Sequence, residues 1–307
     1  MPVTKTQSRR RGYASSRRPR NRRRGSSNPG RARKLVLLGS IPALVLIGGG
    51  FALDAYQRTE KIDADFCYAR PDQAQHVLFL EASFTAGLSD QQERDYWASF
   101  EAGWRNAQPN TRFVGLSTAR NVSGSIARPA FVICKPPANT AQQDALGVPG
   151  KPAPYLANQA AEAYMRYRGL TARLLADAQN PALQANESPI LAQLQTISRY
   201  SGFQGPGRTL TVLTDGLNNS ETAKFCAVQG DLPPFDVFAR QDRYEAVRPR
   251  PFTGTDVNLL LVENGPLPQP GLDHCTSAEL RRFWRSYFEA NGAASVQLTR
   301  LRYGSVG

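Results

Sequence analysis

Residues 35–53 run for nineteen positions without a charge, directly after a block that holds all of the chain's excess positive charge. Between Lys5 and Lys34 there are thirteen Lys and Arg and no Asp or Glu, while the rest of the chain balances at 25 basic residues against 25 acidic. A membrane-spanning helix needs about 20 consecutive apolar residues, so this run reads as a single anchor. The predicted organisation is a disordered Arg-rich tail over 1–34, a transmembrane helix over 35–53, a polar linker over 54–75 and one extracytoplasmic domain over 76–307. The positive-inside rule keeps the tail in the cytoplasm and sends the domain across. For a bacterial-type chain this means a single-pass inner (plasma) membrane protein with a periplasmic domain. Pro42 and Gly48-Gly49-Gly50 weaken the helix, though spanning helices tolerate both residue types. A cleaved signal peptide is the competing reading. Its basic region is normally much shorter, and no small-x-small cleavage pattern follows Phe51.

The tail interleaves eleven Arg and two Lys with Ser, Gly and Pro, a composition that cannot bury a core. Anionic lipid is its expected partner, since each basic residue near such a surface contributes about 1 kcal/mol. Nucleic acid is the second candidate, through phosphate neutralisation, but only Tyr13 is available to stack on a base. Gly39 and Ala43 form a small-xxx-small pair in the apolar run, too common a pattern to argue a dimer.

All four cysteines, Cys67, Cys134, Cys226 and Cys275, lie beyond the apolar run. Their spacing suits neither a zinc knuckle nor a CxxC redox pair, and His76 and His274 are the only histidines to supply a metal site. An even cysteine count in an exported domain points to disulfides, and four cysteines allow three pairings.

Beyond the linker, strand-like apolar runs occur at 76–81 (HVLFLE), 112–117 (RFVGLS), 130–134 (AFVIC), 209–214 (TLTVLT), 257–262 (VNLLLV) and 296–301 (VQLTRL). Several are continuously apolar, as strands buried on both faces are. Helical patterns separate most of them. Ser89 caps one in which Trp97, Phe100 and Trp104 share a face. Residues 156–178 carry a second, and Ser188-Pro189 starts a third that continues with Ile190, Leu191, Leu194 and Ile197. Ser277 opens a fourth, with Leu280, Phe283, Trp284, Tyr287 and Phe288 on one stripe. The aromatic stripes read as core. The proline-rich stretches around 136–154 and 233–268 read as loops. Strand alternating with helix predicts a doubly wound, mainly parallel six-stranded sheet. Only a Ser/Gly/Asn-rich turn separates Ser117 from Ala130, too short for a crossover helix, so strands two and three form a hairpin with the third antiparallel at an edge.

In such sheets, sites form beyond the carboxyl ends of the strands. The first strand runs into Glu81-Ala82-Ser83-Phe84-Thr85 and the fourth into Thr214-Asp215-Gly216, with Ser188 at a helix start between them. Here the chain resembles a von Willebrand factor type A domain over about 76–302, in strand order, edge hairpin and Thr-Asp-Gly. The resemblance implies a metal-ion-dependent adhesion site for Mg²⁺ and a protein partner. Ser83 and Thr85 would be its hydroxyl pair, Ser188 the counterpart of a loop Thr, and Asp215 the second acid. Glu81 stands where the family has Asp, and the extra methylene pushes its carboxylate outward against the strict octahedral geometry of Mg²⁺. The alternative is a degenerate, metal-free site in which Glu81 and Asp215 bind loop amides and hydroxyls. The same fold resemblance implies the pairs Cys67–Cys134, at the amino end of the sheet, and Cys226–Cys275, tying the 217–255 segment over the site.

The implied function is a membrane-anchored interaction, scaffold or adhesion module. A periplasmic hydrolase using Glu81 and Asp215 is the alternative from another class, and a protein acting through its Arg-rich tail is a third. Ser83 lacks an elbow motif, His274 has no evident link to it, and Gly205-Pro206-Gly207 precedes a strand where a phosphate loop would follow one.

Overall fold

Six strands, β1 (Gln75–Leu80), β2 (Arg112–Ser117), β3 (Phe131–Cys134), β4 (Arg208–Thr214), β5 (Thr255–Val262) and β6 (Ser295–Leu301), build one sheet in the order β3-β2-β1-β4-β5-β6. The computed structural model describes residues 62–70, 72–81, 87–118, 129–148, 150–180, 187–227, 232–265 and 274–304. The tail and the apolar run lie outside the described residues, and among the described residues no helix is long and apolar enough to cross a membrane. Five strands are parallel, and β3 pairs antiparallel with β2 at one edge. This is the α/β, Rossmann-like architecture that the strand-helix alternation predicts.

The connections decide which face each helix covers. A parallel crossover is right-handed, so leftward and rightward steps put their helices on opposite faces. On one face, α1 (Asp90–Asn106) and α3 (Ala153–Gln179) bury Tyr96, Phe100, Trp104, Tyr167 and Leu174 with Leu78, Leu80, Phe113 and Ile133 of the sheet. On the other lie α4 (Ile190–Arg199) and α7 (Ser277–Ala290), with Val77, Phe79, Leu210, Val212 and Leu259 beneath them. Val77 to Leu80 are all 0–1 % exposed, which is why the run is apolar on both alternating faces. Burial of each such side chain contributes about 1.5–3 kcal/mol.

Helix ends follow the capping chemistry, with two shifts. Ser89 makes a capping box with Gln92, as the sequence suggests. For α7 the cap is Thr276, with Glu279 closing the box, and Ser277 is the first helical residue. Proline-rich stretches are more ordered than composition implies. The first contains α2 (Thr140–Ala145) and the start of α3, and the second contains α5 (Phe235–Phe238) and α6 (Asp242–Val247). Pro152 and Pro234 stand at N-cap positions, where a missing N–H costs no intrahelical bond.

The lead-in before β1 is packed from Ile62 onward. Phe66 and Tyr68 are buried. The Asn110 side chain accepts from the Tyr68 N–H at 2.9 Å and donates to its carbonyl at 3.1 Å. Cys67 is bonded to Cys134 with Cα atoms 4.9 Å apart, and Cys226 to Cys275 at 5.1 Å. The first bond fastens the lead-in to β3. The second joins the segment after β4 to the start of α7.

His76 on β1 is buried, with its ring centroid 4.9 Å from that of Phe113 and Nε2 2.8 Å from the Thr211 hydroxyl. Burial lowers its pKa to about 4. The unfolded chain then binds a proton near pH 6.5 that the folded chain does not take until about pH 4, so stability falls as pH drops through this window. Relative to His76→Gln, the wild type should lose about 3 kcal/mol more between pH 7 and pH 4. Parallel pH profiles from urea unfolding would dismiss the buried neutral imidazole.

Candidate functional site

The order β2-β1-β4 makes β1 and β4 the strands from which the chain winds outward in opposite directions, and a crevice opens beyond their carboxyl ends. Leu80 is paired with Leu213, so the next residues, Glu81 and Thr214, lie side by side. The Glu81 N–H donates to the Leu213 carbonyl at 2.9 Å, carrying the ladder one step further. Glu81 is 1 % exposed, Thr214 0 %, Ser188 6 % and Asp215 7 %.

Each carboxylate oxygen has a protein donor. The Ser188 hydroxyl donates to Glu81 Oε1 at 3.0 Å, and the Thr214 hydroxyl donates to Oε2 at 3.4 Å. Asp215 Oδ1 accepts from the Leu217 N–H and Oδ2 from the Asn264 side-chain amide, both at 2.8 Å. A buried carboxylate is costly unless hydrogen-bonded, and this arrangement meets that demand. The structure thus brings together Glu81, Ser188 and Asp215, while Ser83 and Thr85 lie outside the described residues.

Ser188 is not the cap of the helix that the Ser188-Pro189 pair predicts. It sits one residue before the cap position of α4, which Pro189 occupies without a side-chain cap. Its hydroxyl goes to Glu81, and its backbone pairs with Asn219 through two 2.8 Å bonds. The orphan N–H of Leu191 is met instead by Asn218 Oδ1 at 3.0 Å. The Asn218 amide also donates to the Ala223 carbonyl at 2.6 Å, locking the loop after β4.

Gly216 has φ +79°, and a Cβ there would stand 2.9 Å from the Trp284 indole nitrogen. Trp284 donates that N–H to the Gly216 carbonyl at 3.0 Å. The glycine after Asp215 is therefore required twice, by backbone conformation and by the approach of α7.

Thr214, Asn218 and Asn264 are site residues that the sequence reading did not assign. Thr214 and Asn218 flank Asp215 in a hydroxyl- and amide-rich loop, a visible though unspecific signal. Asn264, after β5, carries none.

Two of the five expected Mg²⁺ ligands, the hydroxyls of Ser83 and Thr85, belong to residues outside the described ones. Among the described residues, no group of three or more His, Cys, Asp or Glu converges on one point. An ion at Glu81 would have to displace the Ser188 or Thr214 hydroxyl from a carboxylate sealed from solvent.

No protein-family profile matches the chain, and no curated protein matches it. Among solved structures it is similar to the conserved hypothetical protein BatB from Bacteroides thetaiotaomicron, at 13% identity over 74% of this chain and 90% of that one, with a TM-score of 0.34. It is also similar to an aerotolerance-related membrane protein from Bacteroides fragilis NCTC 9343 with multiple mutations to serines, at 15% identity over 74% and 91%, with a TM-score of 0.31. At these values neither likeness bears on metal binding or partner.

Proposed function

We propose that this chain is a membrane-anchored protein-interaction module of the von Willebrand factor A type whose candidate site works without a metal. The observation that carries the metal-free part is the engagement of all four oxygens of Glu81 and Asp215 by protein donors. The crevice where the family would hold Mg²⁺ is here a structural network that joins the end of β1 to the start of α4 and the loop after β4. The described loop after β4, closed by the Asp215 and Asn218 hydrogen bonds, is a pre-ordered surface of the kind that suits recognition of a protein partner. The uncharged run at 35–53 and the basic block before it support the anchor and a periplasmic placement of the domain.

The test is titration calorimetry of Mg²⁺ and Mn²⁺ into the oxidised, EDTA-stripped protein, with Asp215→Ala alongside. No saturable heat is expected up to millimolar metal. Saturable binding by the wild type, abolished in Asp215→Ala, would overturn the metal-free reading and direct the search to acidic ligands.

A further inference from the structure

The α1 face of the sheet is divided. Its carboxyl half is apolar, with Leu80, Leu213, Val262 and Leu301 buried under α1. Its amino half is polar across four strands. The register sets His76, Thr209, Asp256 and Ser295 in one row, and Thr211, Asn258 and Gln297 in the next. Because side chains alternate across a strand, β5 turns Asp256 and Asn258 to this face and Val257 and Leu259 to the other core. A central strand covered on both faces would be apolar on both.

These rows floor a cleft of about 650 Å³, walled on one side by Ser99, Gly103 and Asn106 of α1. That volume lies within the range of small-molecule sites, ~300–1,000 Å³. Thr209, Asn258, Gln297 and Thr299 all line it, and among the described residues none of their side chains has a hydrogen-bond partner. Asp256 is the one acid in the lining, and its carboxylate accepts from the Ser295 hydroxyl at 2.5 Å. Among the described residues no Lys or Arg lines the cleft, and His76 is neutral at physiological pH. A phosphate or carboxylate would find no cation here. Threonine hydroxyls and Asn/Gln amides each donate and accept, as sugar hydroxyls do.

We propose that this cleft, at the end of the sheet opposite the candidate site, binds a neutral, hydroxyl-rich ligand of the size of a short oligosaccharide. Among the described residues no Phe, Tyr or Trp lines it, so hydrogen bonds from the polar floor carry recognition and affinity is modest.

The experiment is saturation-transfer NMR on the full chain held in a phosphocholine detergent, so that no glycoside detergent competes. The probes are chitotetraose, cellotetraose, maltotetraose and glucose 6-phosphate. At least one neutral tetrasaccharide should bind saturably. Asn258→Leu with Gln297→Leu should weaken it about tenfold or more, since each lost hydrogen bond is worth about 1 kcal/mol. Gln297→Leu alone, at an exposed position on the edge strand, should weaken it in the same direction and keeps the test valid if the double variant does not fold. No saturable neutral probe, equal binding by the variants, or tighter binding of glucose 6-phosphate would each overturn the proposal.

Discussion

Trp284→Ala is expected to lower the unfolding free energy by about 3–5 kcal/mol, the usual cost of emptying a large aromatic site. Trp284 is 1 % exposed, and its ring lies 5.9 Å from Phe225, 5.5 Å from Phe283 and 5.4 Å from Tyr287, centroid to centroid. Shrinkage of the neighbours cannot fill the space, because they are aromatics held in edge-to-face contact. The indole N–H to the Gly216 carbonyl adds a second consequence: its loss frees the loop that holds Asp215. Trp284→Phe separates the two, keeping most of the packing and losing the hydrogen bond for about 1 kcal/mol. Urea unfolding followed by near-ultraviolet circular dichroism reads both variants. A Trp284→Ala midpoint close to wild type would mean that this side chain is not packed as described.

Removing Cys67–Cys134 through paired serine substitutions should destabilise the domain by up to about 4 kcal/mol, from the chain entropy of a 67-residue closure. The bond closes a segment containing α1 and the β2–β3 hairpin, so its loss frees the lead-in from the sheet edge. Other contacts still hold it, among them the Cys134 N–H to the Asp65 carbonyl at 2.8 Å, the Arg166 guanidinium to the Asp65 carboxylate at 2.7 Å and the Asn110 bracket around Tyr68. The loss should therefore fall short of the entropic figure and stay above about 2 kcal/mol. Oxidised wild type and the Cys67→Ser/Cys134→Ser variant are compared by denaturant midpoint. Coincident midpoints would mean that the bridge constrains nothing in the unfolded chain.

The strands and the edge hairpin were legible because their cause is local, whereas the strand order came only with the family resemblance. A strand buried on both faces is apolar without interruption, and VLFL within β1 and LLLV within β5 are such runs. The gap between Ser117 and Ala130 is too short for a crossover, which forces the edge hairpin. Capping at Ser89 was readable for the same reason, since donor and acceptor are three residues apart. The pairings Cys67–Cys134 and Cys226–Cys275 were reachable only through the fold, because spacing alone leaves three pairings open.

Tertiary structure decided how the candidate site is hydrogen-bonded. The sequence by itself put Glu81, Ser188 and Asp215 at ends of elements that face one crevice, and it showed Glu81 one methylene longer than the Asp of the family that the chain resembles. It could not say where that extra length goes. Ser188 lies 107 residues from Glu81 and Asn264 lies 49 from Asp215, so their hydrogen bonds exist only once the sheet has brought the strand ends together. The polar amino half of the α1 face has the same origin. Each of its rows takes one residue from each of several strands, and none of those strands alone carries the pattern. Periodicity along a chain encodes burial, whereas chemistry across strands is set by register, which forms only on folding.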